Sequence, residues 1–296
     1  MADERVLVSV VMPCHNDGKY LPEAVDSLRG DTGVPLELII VDDGSDDPET
    51  LRVIRELSFP RLTRLRTEHA GPAAARNAAI RAARGEYILP LDADDRIEPA
   101  YIRRAAEILR TRPEISIVTC RADFFGTRRG PWELPPYSLR EELLGNCLFV
   151  TSFFRKSGWE RVGGFSEEFR AGMEDYDFFL SLIELGVGVE QLPETFFHYR
   201  IKPSSRSRAL AADPDAVRET FRKLYVRHRG LYEEHMGECF PELRTRQLLE
   251  SEQLNAWSAD PVLAYWRSVR VLKPRKAERM ERILCWKQKI KKMLGR

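Results

Sequence analysis

The chain has 296 residues, 43% of them hydrophobic and 31% charged, with a formal net charge of +1, which excludes a disordered chain and supports one large core, or a main core with a smaller appendage. The charge is unevenly spread: Arg270 to Arg296 carries eleven Lys or Arg against two Glu, a balance of +9 that leaves −8 for everything before it. The body therefore lacks the spread of basic residues and interleaved aromatics that nucleic-acid binding needs, and that class is excluded.

In chain order, Met1 to Arg5 is charged and leads directly into a strand, without the apolar stretch of a secretory signal. Val6 to Met12 has a buried-strand pattern and Tyr20 to Arg29 an amphipathic-helix pattern. A second strand over Leu36 to Val41 precedes a helix near Glu49 to Glu56. Leu62 to Thr67 is a third strand, Ala73 to Ala83 an alanine-rich helix, and Tyr87 to Leu91 a fourth strand that ends in acidic residues. Strands separated by single helices predict a mostly parallel sheet, which places ligands just beyond the carboxyl ends of its strands, here after Met12, Val41 and Leu91. Pro99 to Leu109 is a helix and Ile115 to Thr119 a strand, and Pro131, Pro135 and Pro136 mark a loop. Phe149 to Arg155 is strand-like and Glu174 to Leu185 helical; from Asp213 the pattern is helical and charged. No apolar run approaches the roughly 18 residues of a membrane-spanning helix, so a cytoplasmic chain is expected. The five cysteines, Cys14, Cys120, Cys147, Cys239 and Cys285, form no C-x-x-C pair and read as reduced thiols.

Three acidic groups fall where the sheet exposes them. Asp42-Asp43 closes the second strand, Asp92-Ala93-Asp94-Asp95 the fourth, and Glu174-Asp175 follows a glycine-rich loop. Asp-rich turns also cap helices, but their conjunction points to chemistry. Diphosphate oxygens repel a bare carboxylate, so acids beside a diphosphate make sense with a divalent cation between them, Mg2+ or Mn2+, which prefer oxygen ligands. An acceptor hydroxyl that must lose its proton needs a separate carboxylate, for which Asp175 is the candidate. A haloacid-dehalogenase-type phosphatase carries Thr or Val two positions after its Asp-x-Asp, where this chain has Arg96, and the segment Pro13 to Gly18 is not the G-x-G-x-x-G of a dinucleotide dehydrogenase.

Taken together, Val8 to Asn16, Val41-Asp42-Asp43-Gly44-Ser45, Ala75-Arg76-Asn77, Gly85-Glu86-Tyr87-Ile88, Leu91 to Asp95, and Gly163-Gly164-Phe165 leading to Glu174-Asp175 resemble the family 2 inverting glycosyltransferases. The resemblance spans about residues 5 to 200 and implies a GT-A fold: a Rossmann-like, mostly parallel central sheet flanked by helices, over residues 1–205, with a helical C-terminal extension over 206–296. It implies a nucleotide-sugar donor, a UDP-sugar by default, and transfer to a glycan or lipid-linked acceptor during surface polysaccharide assembly. Pro13, His15, Asn16 and Asp43 would then receive the base and ribose, with Asp42 in support. His15 stands where many members carry Tyr or Phe. Arg76 would touch the base or diphosphate. Asp92, Ala93 and Asp94 would form the donor and metal motif, Asp94 as direct ligand. Asp175 would be the catalytic base and Glu174 its acidic neighbour. His198 would add a metal ligand and Arg200 a basic group for the diphosphate.

Two rivals stay open at this point. A nucleotidyltransferase would show a glycine-rich basic phosphate loop after its first strand, which Pro13 to Lys19 is not; a noncatalytic glycan-binding scaffold would have no use for Asp92, Asp94 and Asp175. The basic segment 270–296 sets Met280, Ile283, Leu284 and Trp286 among Lys and Arg at helical spacing, a pattern for peripheral membrane contact or for packing on protein, and liposome binding before and after its deletion separates the two. The sugar, acceptor, linkage and oligomeric state are not written in these motifs.

Overall fold

A computed structural model describes residues 7–203 and 206–258. Its first half follows the predicted alternation: β1 (Val8–Cys14), α1 (Leu21–Asp26), β2 (Leu36–Asp43), α2 (Pro48–Glu56), β3 (Leu62–Thr67), α3 (Pro72–Ala82) and β4 (Tyr87–Pro90). Prolines stand in the first turns of α1, α2 and α3, where a missing N–H costs little. Strand β1 lies between β2 and β4, parallel to both, and β3 is parallel to β2. Pro13 pairs with Val41, Cys14 with Asp42 and Val11 with Pro90, so the three strands end at one level. That level is where the acidic loops begin.

Beyond β4 the chain continues as β5 (Arg96–Ile97), α4 (Pro99–Thr111), β6 (Ile115–Gly126), β7 (Gly130–Trp132), α5 (Leu139–Leu144), β8 (Phe153–Arg155), α6 (Lys156–Val162), α7 (Glu174–Ile183), β9 (Gly188–Ile201), α8 (Arg206–Ala211), α9 (Pro214–Arg227) and α10 (Arg229–Ser258). The sheet runs β3-β2-β1-β4-β8-β6-β9-β5, with β7 added on β6. Strand β8 lies between β4 and β6 and is antiparallel to both, and β9 returns parallel to β6. The expected strand at Ile115–Thr119 extends to Gly126, and the one at Phe149–Arg155 is confined to its last three residues. Strand β9 has no counterpart among the predicted strands. Its ladder with β6 shifts register between Gln191 and Thr195, where Pro193 sits, and the irregularity erases the period-two pattern.

Alternation along β1 divides the core into two layers. Val8, Val10 and Met12 pack with Leu21 and Val25 of α1 and Tyr101 and Ile102 of α4. Val11 faces the other side, with Ala75, Ala79 and Ile80 of α3 and Phe178 and Phe179 of α7. Each fully buried Val, Leu, Ile or Phe side chain stabilises the fold by about 1.5–3 kcal/mol. Cys14, Cys120 and Cys147 are buried free thiols within this body. The chain divides into two compact units, Met1–Met236 and Gly237–Arg296, and the strand ends and acidic loops belong to the first. Among the described residues no helix is long and apolar enough to cross a membrane. The basic segment 270–296 lies outside the described residues.

Candidate active site

The strand ends border a cleft of about 310 Å³. Pro13 and His15 enter it from the end of β1, Asp43 from β2, His69 from the turn ahead of α3, and Asp92, Ala93 and Asp94 from the loop after β4. Asp43 is held from behind: its carboxylate accepts from the backbone N–H of Ala70 (3.0 Å) and Gly71 (2.9 Å) and from Thr67 Oγ1 (3.2 Å). The His15 ring stacks on His69 with centroids 4.0 Å apart, and its Nδ1 lies 2.8 Å from the Asp43 carbonyl oxygen. Gly44 has φ +67°, and a Cβ there would lie 2.7 Å from the backbone nitrogen of His69. Only glycine permits that approach, so the residue after Asp42-Asp43 is part of what seats the stacked pair.

The acidic loop splits its charges between two directions. Asp94 Oδ2 lies 2.8 Å from Lys202 Nζ, and the same ammonium is 2.9 Å from Asp17 Oδ2. Asp95 points inward, fully buried, and accepts from the backbone N–H of Arg200 at 2.7 Å, which ties the loop to β9. Burial, followed by the charge of Asp92, pushes the Asp94 carboxyl above its ordinary range. Burial and the charge of Asp94 push Asp95 well above it.

Arg76 joins this loop to the start of α7. It is fully buried, donates to Asp92 Oδ1 at 2.6 Å and to Glu174 Oε1 at 2.8 Å, and Arg206 adds a second cation 2.7 Å from Glu174. Burial alone would raise the Glu174 pKa, but Arg76 and Arg206 hold it below the usual value. Met173, in the left-handed region at φ 72°, turns the chain into α7, so that Glu174 and Asp175 emerge together at a helix N-terminus. Burial and the neighbouring Glu174 charge push Asp175 up to about 6, close to where a carboxylate exchanges protons at neutral pH. Asp175 opens on a second cavity of about 470 Å³, walled by Trp132, Phe149 and Tyr199; Asp92, Tyr199 and Arg206 line both spaces.

The structure thus brings Pro13, His15, Asp43, Asp92, Ala93 and Asp94 to one cleft and Glu174 and Asp175 to its neighbour. Asn16 and Asp42 stand behind them. Asn16 Oδ1 accepts from the backbone N–H of Asp46 and Asp47, stapling the β1 loop to the β2 loop, and Asp42 pairs with Arg66 while accepting from Ser45 N at 2.8 Å. Three further residues of the expected site are placed as follows. Arg76 does not reach the first cleft, because its guanidinium is committed to two carboxylates inside the protein. His198 faces away: its Nδ1 lies 2.6 Å from Asp123 and its Nε2 3.2 Å from Glu98, on the far side of β9. Arg200 does line the cleft, but its guanidinium is held by Glu23 and by the Asp94 carbonyl, between the rings of Tyr20 and Phe125. Sequence reasoning missed Asp17, His69, Lys202 and Arg206. None stands in a motif, and Lys202 and Arg206 follow the strand that periodicity did not reveal.

The donor set suits a hard divalent cation. Asp94 and Asp92 supply carboxylate oxygens, and burial followed by the charge of Asp92 pushes the Asp94 carboxyl above its ordinary range. Among the described residues no three His, Cys, Asp or Glu side chains converge into an all-protein cage. Mg2+-type sites commonly use one or two carboxylates and complete their shell with substrate phosphates and water.

Residues 9–163 match the family model described as glycosyl transferase family 2. Chondroitin synthase of Escherichia coli is 33% identical over 190 residues, 61% of this chain and 27% of that protein. Hyaluronan synthase of Pasteurella multocida is 33% identical over 188 residues, 61% of this chain and 19% of that protein, so this chain spans only a minor part of either. The crystal structure of S. aureus TarS 1-349 in complex with UDP-GlcNAc is similar with a TM-score of 0.63 at 22% identity, covering 75% of this chain and 66% of that one, a likeness of fold. The sheet order and its flanking helices are those of a GT-A fold. With its strand-end acids in place and the family model matched over more than half its length, the chain belongs to glycosyl transferase family 2.

Proposed function

We propose that this chain transfers a sugar from a nucleoside diphosphate donor, by default a UDP-sugar, to a hydroxyl of a glycan or lipid-linked acceptor in polysaccharide assembly, with inversion at the anomeric carbon. The observation that carries this reading is the shared wall between the two cavities: a donor held over Asp92 and Asp94 would present its sugar toward Asp175. The UDP-GlcNAc bound to TarS and the polysaccharide synthases among the relatives support the donor and product classes.

In this mechanism the base stacks against His15 and His69 above Asp43, and the sugar lies toward Tyr199. Asp175 takes the proton of the acceptor hydroxyl as that oxygen attacks from the face opposite the diphosphate. The bond to the diphosphate breaks, and a nucleoside diphosphate leaves. Mn2+ or Mg2+, held by Asp94 with Asp92 in support, would take up negative charge on the leaving diphosphate.

Product configuration and variant kinetics test the proposal together. Asp175→Asn should lose about 10²–10⁴-fold in turnover while calorimetry still detects UDP binding, and Asp94→Ala or excess EDTA should abolish transfer. Undiminished transfer by Asp175→Asn, or a product that retains the donor's configuration, rejects the inverting mechanism. Full activity in EDTA rejects the cation.

A further inference from the structure

The cleft carries a cation of its own. Lys202 follows β9 directly, and its ammonium stands between Asp94 Oδ2 at 2.8 Å and Asp17 Oδ2 at 2.9 Å. Asp17 belongs to the loop after β1 and Asp94 to the loop after β4, so one side chain fastens two separate borders of the cleft. The lysine side chain is 21% exposed and that of Asp94 16%, enough withdrawal from water to strengthen the attraction beyond that of a surface pair.

Asp94 is also the carboxylate that the proposed function gives to the divalent cation, and this inference rests on that reading. An ammonium and a divalent ion at contact distance from one carboxylate repel each other, so the two compete for Asp94. The other nearby cations have partners elsewhere: Arg76 on Asp92 and Glu174, Arg206 on Glu174, Arg200 on Glu23 and the Asp94 carbonyl. Lysine suits an exchange, because its compact ammonium rides on a flexible four-carbon stem and its bonds have no fixed planar geometry.

We propose that Lys202 is a displaceable counterion of the donor cleft. In the nucleotide-free chain it neutralises Asp94 and Asp17; on loading it yields Asp94 to the divalent cation and turns its charge to the diphosphate. The residue therefore opposes cation binding before the nucleotide arrives and favours nucleotide binding afterwards.

The two roles have opposite signs in a calorimetric titration of the full chain and of Lys202→Met. With MnCl2 alone, Lys202→Met should bind Mn2+ about tenfold tighter than wild type, the scale of one partly buried ion pair released from competition. With UDP titrated at saturating Mn2+, the same variant should bind about tenfold more weakly. A loosened or partly unfolded cleft weakens both, which distinguishes damage from the proposed exchange, and circular dichroism checks that the variant is folded. Mn2+ affinity unchanged or reduced in folded Lys202→Met overturns the inference and leaves the donor-cleft reading standing. Failure of both chains to bind Mn2+, with UDP present as well, overturns the two together.

Discussion

Replacing Arg76 with Met removes the charge at the centre of the site and retains most of the side-chain volume. Arg76 is fully buried and donates to Asp92 at 2.6 Å and Glu174 at 2.8 Å. Taking one partner from a buried ion pair costs about 3–5 kcal/mol, because the other charge stays behind without compensation. Asp92, at 30% exposure, can turn to water, and Glu174 keeps Arg206. Arg76 Nε and Glu174 Oε2 already lack partners in the native arrangement. These points place the expected loss near the lower bound, about 3 kcal/mol, still a large share of the roughly 5–15 kcal/mol that holds a domain folded. Urea unfolding followed by circular dichroism measures it. The same substitution has a kinetic signature. Arg76 opposes the burial and the Glu174 charge that push Asp175 up to about 6, so without it Asp175 should titrate higher and the rise of kcat/KM with pH should move to higher pH. A stability loss under about 1 kcal/mol together with an unmoved pH profile would refute the idea that Arg76 bridges the two halves of the site.

Glu142 offers a cleaner test of linkage. It is fully buried, and burial pushes its carboxyl from 4.5 up to about 7; the raised folded value means its contribution is present below pH 4.5 and lost as pH rises through 7. The shift corresponds to about 3 kcal/mol, so wild type should lose about that much relative to Glu142→Gln between pH 4.5 and 8, and parallel stability curves for the two proteins would contradict it. Gly85→Ala should cost about 1–3 kcal/mol through overpacking, since a Cβ there would lie 2.6 Å from the backbone nitrogen of Ser9; thermal unfolding that matches wild type would show that β1 can yield.

The parts of the site that could be read from sequence are those fixed by a single strand end. Parallel strands buried on both faces appear as unbroken apolar runs, and the residue types that follow them announce the ligand side of the sheet. Pro13, Asp43 and Asp92 to Asp94 are of this kind. Arg76 is different, because its helix gives it a buried position beside Ala75 and Ala79, where a guanidinium must find carboxylates. One of these, Glu174, is 98 residues away in the chain. No local pattern specifies such a partner.

Strand β9 shows the same limit from the other direction. Successive residues of a strand face opposite sides, so once Tyr199 lines the clefts, His198 faces away and meets Asp123 and Glu98. A motif read as three consecutive functional residues therefore divides across two faces, and Arg200 borders both only because of its length. The register shifts between Gln191 and Phe197 set which residue faces which side. A one-residue change in these shifts would turn Tyr199 away from the clefts. Which side chains of β9 reach the site thus depends on strand irregularities upstream of them, which is why the division becomes visible only once β9 is seen paired to β6.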